Sequence, residues 1–248
     1  VEIKFIGTGS KGNCIAIGFI DGWILFDIGI AKTKCEKLLL ENGIDPKEVR
    51  CIFISHAHKD HVAGLPFAEK WNIPVYASAG TWKTVDFSGD KRVLKFDKTM
   101  ISYGLGVLNV RWFKTHHDDY ESLGYTVEDE EGTKVSICLD TGHVDRDMLE
   151  AMRGSDIYII EANHDPELVA VSSYPDSVKA RILSDVGHLS NEQTAKALSQ
   201  LVTGKGEKIY LCHLSSSNNL PAIAKGEVVR ALRKKGLQID KHYSVEVV

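Results

Sequence analysis

Apolar residues in this chain recur in short runs separated by turn residues. Ile3 and Phe5 alternate with polar neighbours, and the run stops at Gly7-Thr8-Gly9-Ser10. Two apolar runs, Cys14 to Ile20 and Trp23 to Ile28, flank Asp21-Gly22. Asp-Gly between such runs predicts a β-hairpin. A helical pattern over Thr33–Leu40 ends at Asn42-Gly43, a stop signal. Cys51-Ile-Phe-Ile54 is continuously apolar and predicts a buried strand. A helix is expected from His61 to Trp71. Further strands are expected at Val93–Phe96, Val107–Phe113, Leu123–Val127, Lys134–Leu139, Ile157–Ile160, Lys208–Cys212 and Tyr243–Val247. Ser190-x-x-Gln193 reads as a capping box opening a helix whose Thr194, Ala197, Leu198 and Leu201 share one face. A last helix is expected from Pro221 to Lys235. Strands come in two batches, each followed by helices. That order predicts an α/β protein with two sheets packed face to face and helices outside.

Length and composition add bounds. The chain has 248 residues, shows no convincing linker, and is expected to form one domain spanning 1–248. A net charge of −4 supplies no global positive field for a polyanion, so any such partner must be held by local groups or by metal. Cys14, Cys35, Cys51, Cys138 and Cys212 include no C-x-x-C pair and sit in or beside apolar stretches. They read as buried free thiols of a reducing cytosol. No stretch is long or apolar enough to span a membrane, and Val-Glu-Ile-Lys-Phe at the start reads as a strand rather than a signal peptide. A cytoplasmic location is expected.

The densest chemistry is His56-Ala57-His58-Lys59-Asp60-His61, directly after the buried strand. Side chains two apart on an extended chain point the same way, so His56 and His58 can bind one ion. A following helical turn would swing Asp60 and His61 toward a second. Neutral imidazole and carboxylate suit zinc, manganese or iron. Three histidines and an aspartate in six residues are an improbable surface decoration. Two ions need more ligands, and candidates stand just past other strands: His116-His117-Asp118, Asp140 and His213. Neighbours on a strand face opposite ways, so His116 and His117 remain alternatives on this ground.

In this order, His56, His58, Asp60, His61, His117, Asp140 and His213 resemble the metal motifs of the metallo-β-lactamase superfamily across essentially the whole chain. The resemblance implies a four-layer αββα sandwich. It implies His56, His58 and His117 on one ion, Asp60, His61 and His213 on the other, and Asp140 bridging. It also selects His117 over His116, and implies that Asp27 supports the ligands without binding metal. Di-iron oxygen-reducing relatives carry a carboxylate at the position of His58. True β-lactamases commonly carry Cys at that of Asp140. Both branches therefore fit poorly.

More specific strings are Gly9-Ser10-x-Gly12-Asn13-Cys14, Glu161-Ala-Asn163-His164-Asp165, Tyr174-Pro175 with Lys179 and Arg181, Gly187-His188-Leu-Ser190-Asn191, and His213-Leu-Ser215 with Asn218-Asn219. Together they resemble the YycJ/WalJ family end to end, with Thr8, Asp119 and Ser122 as loop departures from the usual Ser, Ala and Pro. The resemblance implies a DNA-directed nuclease with 5′→3′ exonuclease activity. Two strings, Gly187-His188-x-Ser190 and His213-x-Ser215, are also similar to RNase Z. That similarity implies His188 as a proton donor rather than a ligand.

The expected chemistry is phosphodiester hydrolysis by a hydroxide bridging two divalent ions, zinc or manganese, with iron also compatible. Asp60 would bind metal and orient that hydroxide, and His188 would protonate the leaving oxygen. Ser10, Asn13, His164, Lys179, Arg181, Ser215 and Asn218 are candidates for substrate contact, each with a plain structural alternative. DNA is favoured over RNA as substrate, no membrane partner is expected, and a homodimer is left open. The rival readings are a phosphodiesterase for small cyclic or linear nucleotides, a thioester hydrolase resembling glyoxalase II, and a non-enzymatic binding module, against which the complete ligand set argues.

Overall fold

The computed structural model describes residues 1–20, 22–95, 98–103 and 106–248, with backbone alone at 98–103 and 106. The first elements are β1 (Glu2–Gly7), β2 (Cys14–Phe19), β3 (Gly22–Phe26), α1 (Lys32–Glu41), β4 (Val49–Phe53), α2 (Lys59–Val62), α3 (Leu65–Trp71), β5 (Val75–Ala77), α4 (Thr81–Thr84) and β6 (Lys91–Val93). They are followed by β7 (Lys98–Tyr103), β8 (Gly106–Lys114), β9 (Leu123–Glu128), β10 (Lys134–Cys138), α5 (Arg146–Met152) and β11 (Ile157–Glu161). The chain ends with α6 (Pro166–Val171), α7 (Asp176–Ile182), α8 (Asn191–Leu201), β12 (Glu207–Cys212), α9 (Pro221–Lys234) and β13 (Tyr243–Val247).

One sheet runs β1-β2-β3-β4-β5-β6 and the other β13-β12-β11-β10-β9-β8-β7. Both are mixed. In the first, β1, β2 and β3 pair antiparallel, and β3 to β6 pair parallel. In the second, β10 to β13 pair parallel, and β7 pairs antiparallel with β8. With helices flanking these sheets, the chain has the expected α/β class.

The chain divides into two compact units. The first holds Val1–Arg111, Asp119–Leu123 and Glu128–Gly132; the second holds Trp112–Asp118, Gly124–Val127 and Thr133–Val248. Each has its own core. In the first unit, Ala16, Leu25, Ile52, Ile54, Leu39 and Phe67 are buried together. In the second, Tyr158, Ile160, Ile209, Leu211, Leu198 and Val228 are. The leucine, isoleucine, valine and phenylalanine side chains among these each contribute roughly 1.5–3 kcal/mol by leaving water. All five cysteines are buried free thiols.

The strand ends matter most for function, because the parallel register sets which residues leave the sheet together. In the second unit Cys138 pairs with Ile160, and Glu161 with Cys212. Asp140, Glu161 and His213 therefore emerge along one sheet edge. The predicted hairpin is present with Phe19 opposite Gly22, while Asp21 lies outside the described residues. The α8 capping box is also present, with both reciprocal bonds. Two expectations need correction. The helix expected from His61 to Trp71 is two helices, α2 and α3: the N–H of Gly64 turns to the carbonyl of Ile28, and Pro66 occupies the first turn of α3. The strand expected at Val93–Phe96 is instead Lys91–Val93, with Phe96 outside the described residues.

Candidate functional site

In the first unit, the chain leaves β4 and passes through Ser55, His56, Ala57 and His58 into α2. His56 and His61 are buried, whereas His58 and Asp60 are partly exposed. The His56 ring lies 4.6 Å from that of His58 and 4.0 Å from that of His61. The Asp60 Oδ2 lies 3.7 Å from His61 Nε2. Crowding imidazoles and a carboxylate costs desolvation and gains little packing, but it supplies the nitrogen and oxygen donors a divalent transition metal takes.

Asp27 organises this crowd. It follows β3 with a φ of 60°, a left-handed conformation that Asp tolerates better than most residues. Its carboxylate accepts from Ser55 N (2.7 Å) and Ser55 Oγ (2.9 Å) and lies 2.8 Å from His61 Nδ1. A carboxylate there draws the proton to Nδ1 and leaves the Nε2 lone pair for a metal. Ser55 Oγ also lies 3.0 Å from His56 Nδ1.

Asn13 belongs to the same assembly. It is buried, its Oδ1 accepts from Gly9 N (2.7 Å), and its Nδ2 lies 3.0 Å from His61 Nε2. Its backbone ties two loops together, donating to Asp60 O and accepting from Gly29 N, both at 2.8 Å. Gly29 is needed here because a Cβ would sit 1.5 Å from Asp60 O. Ser10 is exposed on the turn after β1. Asp119 accepts from Ala57 N at 2.7 Å, between the two histidines of the motif.

The second unit carries the other candidates. His117 is buried in the loop after β8, with Nδ1 3.0 Å from Gly187 O; burial lowers its pKa. His116 turns elsewhere: its Nε2 lies 2.7 Å from Asp145 Oδ2 and its ring stacks on His143 at 3.8 Å. Asp140 and His213, just past β10 and β12, have φ of 49° and 54°. Left-handed non-glycine residues are costly and concentrate at functional sites. Asp140 Oδ1 lies 3.1 Å from His188 Nδ1 and 3.0 Å from His213 Nδ1. Asp140, Glu161, His188 and His213 each present a donor atom within 4.8 Å of the others.

Glu161 had no role assigned from sequence. It is fully buried at the end of β11. Its Oε1 accepts from Thr141 N (2.7 Å) and Leu189 N (3.2 Å), and its Oε2 lies 3.0 Å from His188 Nδ1 and 3.3 Å from His213 Nδ1. One carboxylate thus anchors the loops of Asp140, His188 and His213. Burial opposes protonation of His188, but the Glu161 and Asp140 carboxylates outweigh it and push its pKa up to about 9. The available signal was a charged residue closing the apolar run Ile157–Ile160.

Of the remaining candidates, Lys179, Arg181 and Ser215 have structural partners. Arg181 makes a two-pronged ion pair with Asp118, 2.5 and 2.9 Å, and Lys179 donates to Ala170 O at 2.9 Å. Ser215 Oγ accepts from Asn218 N (3.2 Å). Asn218 is completely buried; its backbone carbonyl accepts from Asp165 N (2.9 Å), while neither polar atom of its side chain has a hydrogen-bond partner among the described residues. His164 is buried beside Ser190, and burial drives its pKa down to about 4. It is therefore neutral near pH 7, and its backbone carbonyl accepts from Asn191 N (2.9 Å).

Residues 22–214 match the β-lactamase superfamily domain. The chain is 32% identical over 250 residues to exodeoxyribonuclease YycJ of Bacillus anthracis, covering 99% of this chain and 94% of the relative. It is 34% identical over 122 residues to ribonuclease Z of Lactobacillus johnsonii, which covers 42% of this chain and 37% of that one. Among solved structures, the metallo-β-lactamase fold protein YhfI of Bacillus subtilis superposes with a TM-score of 0.71 at 15% identity, covering 99% of this chain and 95% of that one. The fold is therefore that of the metallo-β-lactamase proteins, as expected. No helix among the described residues is long and apolar enough to cross a membrane.

Proposed function

This chain belongs to the metallo-β-lactamase superfamily and within it to the YycJ/WalJ family, and on that premise we propose that it is a metal-dependent phosphodiesterase acting on DNA, a 5′→3′ exonuclease. The observation that carries the reading is 32% identity over nearly the full length to an exodeoxyribonuclease, in a chain that carries all seven candidate ligands. The donor chemistry of both units supports a pair of divalent ions, zinc or manganese, with iron compatible. By the superfamily order, His56, His58 and His117 would hold one ion, Asp60, His61 and His213 the other, and Asp140 would serve both. The whole chain then acts as one catalytic domain.

When bound, such ions lower the pKa of water and take up charge on the phosphoryl oxygens. The protein's residues do the rest. Asp27 and Ser55 hold the imidazoles of His61 and His56 through Nδ1. Asp60, partly exposed, would bind metal and would orient the attacking water by accepting its hydrogen bond. His188 donates a proton to the departing ester oxygen, oriented by Glu161 at its Nδ1. That contact supports a histidine held for proton transfer. The buried thiols are compatible with a cytoplasmic enzyme.

The test is direct. Purified protein with Mn²⁺ or Zn²⁺ is offered single- and double-stranded DNA labelled at either end, cyclic nucleotides and a model thioester. Release of mononucleotides from the 5′ end, abolished in Asp60→Ala and His56→Ala, is expected. Turnover of cyclic nucleotides or thioester with DNA untouched would overturn the substrate class.

A further inference from the structure

One aromatic residue beside the histidine motif contributes little to the fold. Tyr120 is 74% exposed. A tyrosine stabilises mainly by burying its ring, so a ring in water adds little. Yet the segment that carries it is firmly pinned within the first unit. Asp119 accepts from Ala57 N and from Tyr120 N, both at 2.7 Å. The carbonyl of Glu121 accepts from Ser78 Oγ (3.1 Å), and its carboxylate accepts from Gly80 N (2.9 Å). Leu123 N donates to Ser55 O at 3.0 Å.

These bonds have two consequences. They fix Tyr120 next to the residue that anchors the backbone between His56 and His58. They also engage the carboxylates of Asp119 and Glu121 with backbone N–H groups of the protein. On the exposed side, Lys83 Nζ stands 6.0 Å from the Tyr120 ring centroid. An exposed ring on a pinned backbone, with an ammonium over it, offers a stacking face for a nucleobase and a cation for its adjoining phosphate. With the backbone of the segment already held, only the two side-chain torsions of Tyr120 need ordering when a base stacks on it.

We propose that Tyr120 is a base-stacking platform for single-stranded nucleic acid, with Lys83 meeting the adjoining phosphate. This rests on the nucleic-acid reading above and assigns the residue that grips a base near the histidine motif. The chain's own Asp119 holds the platform in place.

The test uses metal-loaded protein and two non-hydrolysable phosphorothioate oligonucleotides of equal length, oligothymidylate and its abasic counterpart, followed by fluorescence anisotropy. Tyr120→Ala is expected to weaken oligothymidylate binding roughly five- to a hundredfold. It should leave abasic binding unchanged, while Tyr120→Trp keeps both. In DNA hydrolysis, Tyr120→Ala should raise KM and keep kcat. Unchanged oligothymidylate binding in Tyr120→Ala, or an equal loss on both oligonucleotides, would overturn the platform while leaving the nuclease reading intact. Wild-type protein that neither binds nor cleaves DNA would overturn both.

Discussion

Asp27→Asn isolates the charge that orients His61. Asparagine tolerates the left-handed backbone at this position, where φ is 60°, so the loop geometry is kept. Its carbonyl oxygen can still accept from Ser55 N, now 2.7 Å from the carboxylate. The amide nitrogen must then face His61 Nδ1, 2.8 Å from the present Oδ2. Two donors cannot share that gap, so the Nδ1 proton loses the acceptor that fixed it and the Nε2 lone pair is no longer held ready for metal. Changes to such supporting groups typically cost 10–100-fold in metal affinity, about 1.4–2.7 kcal/mol. Loss of the charge-assisted bonds should cost the metal-free fold a further 1–2 kcal/mol or so. Competition for Zn²⁺ against a chromophoric chelator reads the first quantity, and urea denaturation of metal-free protein reads the second. Metal affinity within about threefold of the parent, in a variant measurably destabilised by urea, would refute the tautomer argument.

Glu161→Gln should keep the bond from Thr141 N but place an amide donor against His188 Nδ1, now 3.0 Å from the carboxylate. DNA hydrolysis is expected to fall roughly 10- to 150-fold, the equivalent of one charge-assisted bond; parental turnover in a folded variant would contradict the role given to Glu161. Gly29→Ala would force a Cβ to 1.5 Å from Asp60 O and 2.8 Å from Asn13 N. A loss on the order of 3 kcal/mol or more is expected in urea midpoints, and an unchanged midpoint would remove the close-approach argument. Burial disfavours the Glu207 charge, but bonds from Thr203 N (2.6 Å), Thr203 Oγ1 (2.8 Å) and Lys205 N (2.8 Å) hold its pKa below the usual carboxylate range. A lowered folded-state pKa stabilises above the unfolded value and loses that contribution as pH falls through the folded one. Glu207→Gln should therefore cost about 1–2 kcal/mol at pH 7. The gap should close on acidification below about pH 4, and a gap independent of pH would refute this reading.

Sequence alone determined whatever depends on local pattern. Strands β4, β10, β11 and β12 were legible as apolar runs, α8 by its capping box, and the His56–His61 motif by donor density. The three-residue β5 was not, because it is too short for any periodicity. Nor was α7, which has no buried residue and so no apolar face to read. The break between α2 and α3 depended on a bond from Gly64 to Ile28. Tertiary structure alone decided the partners. Arg181 reads as a phosphate ligand until Asp118, 63 positions earlier, is placed against it. Asn13 reads as a loop residue until the fold buries it on His61. Glu161 gains its place from the parallel register of β10, β11 and β12, which brings three separate strand ends together. A side chain's type and local direction are written in its neighbours. What it touches depends on which distant backbone packs beside it, and hydrogen bonds respond to tenths of an ångström that no spacing along the chain encodes.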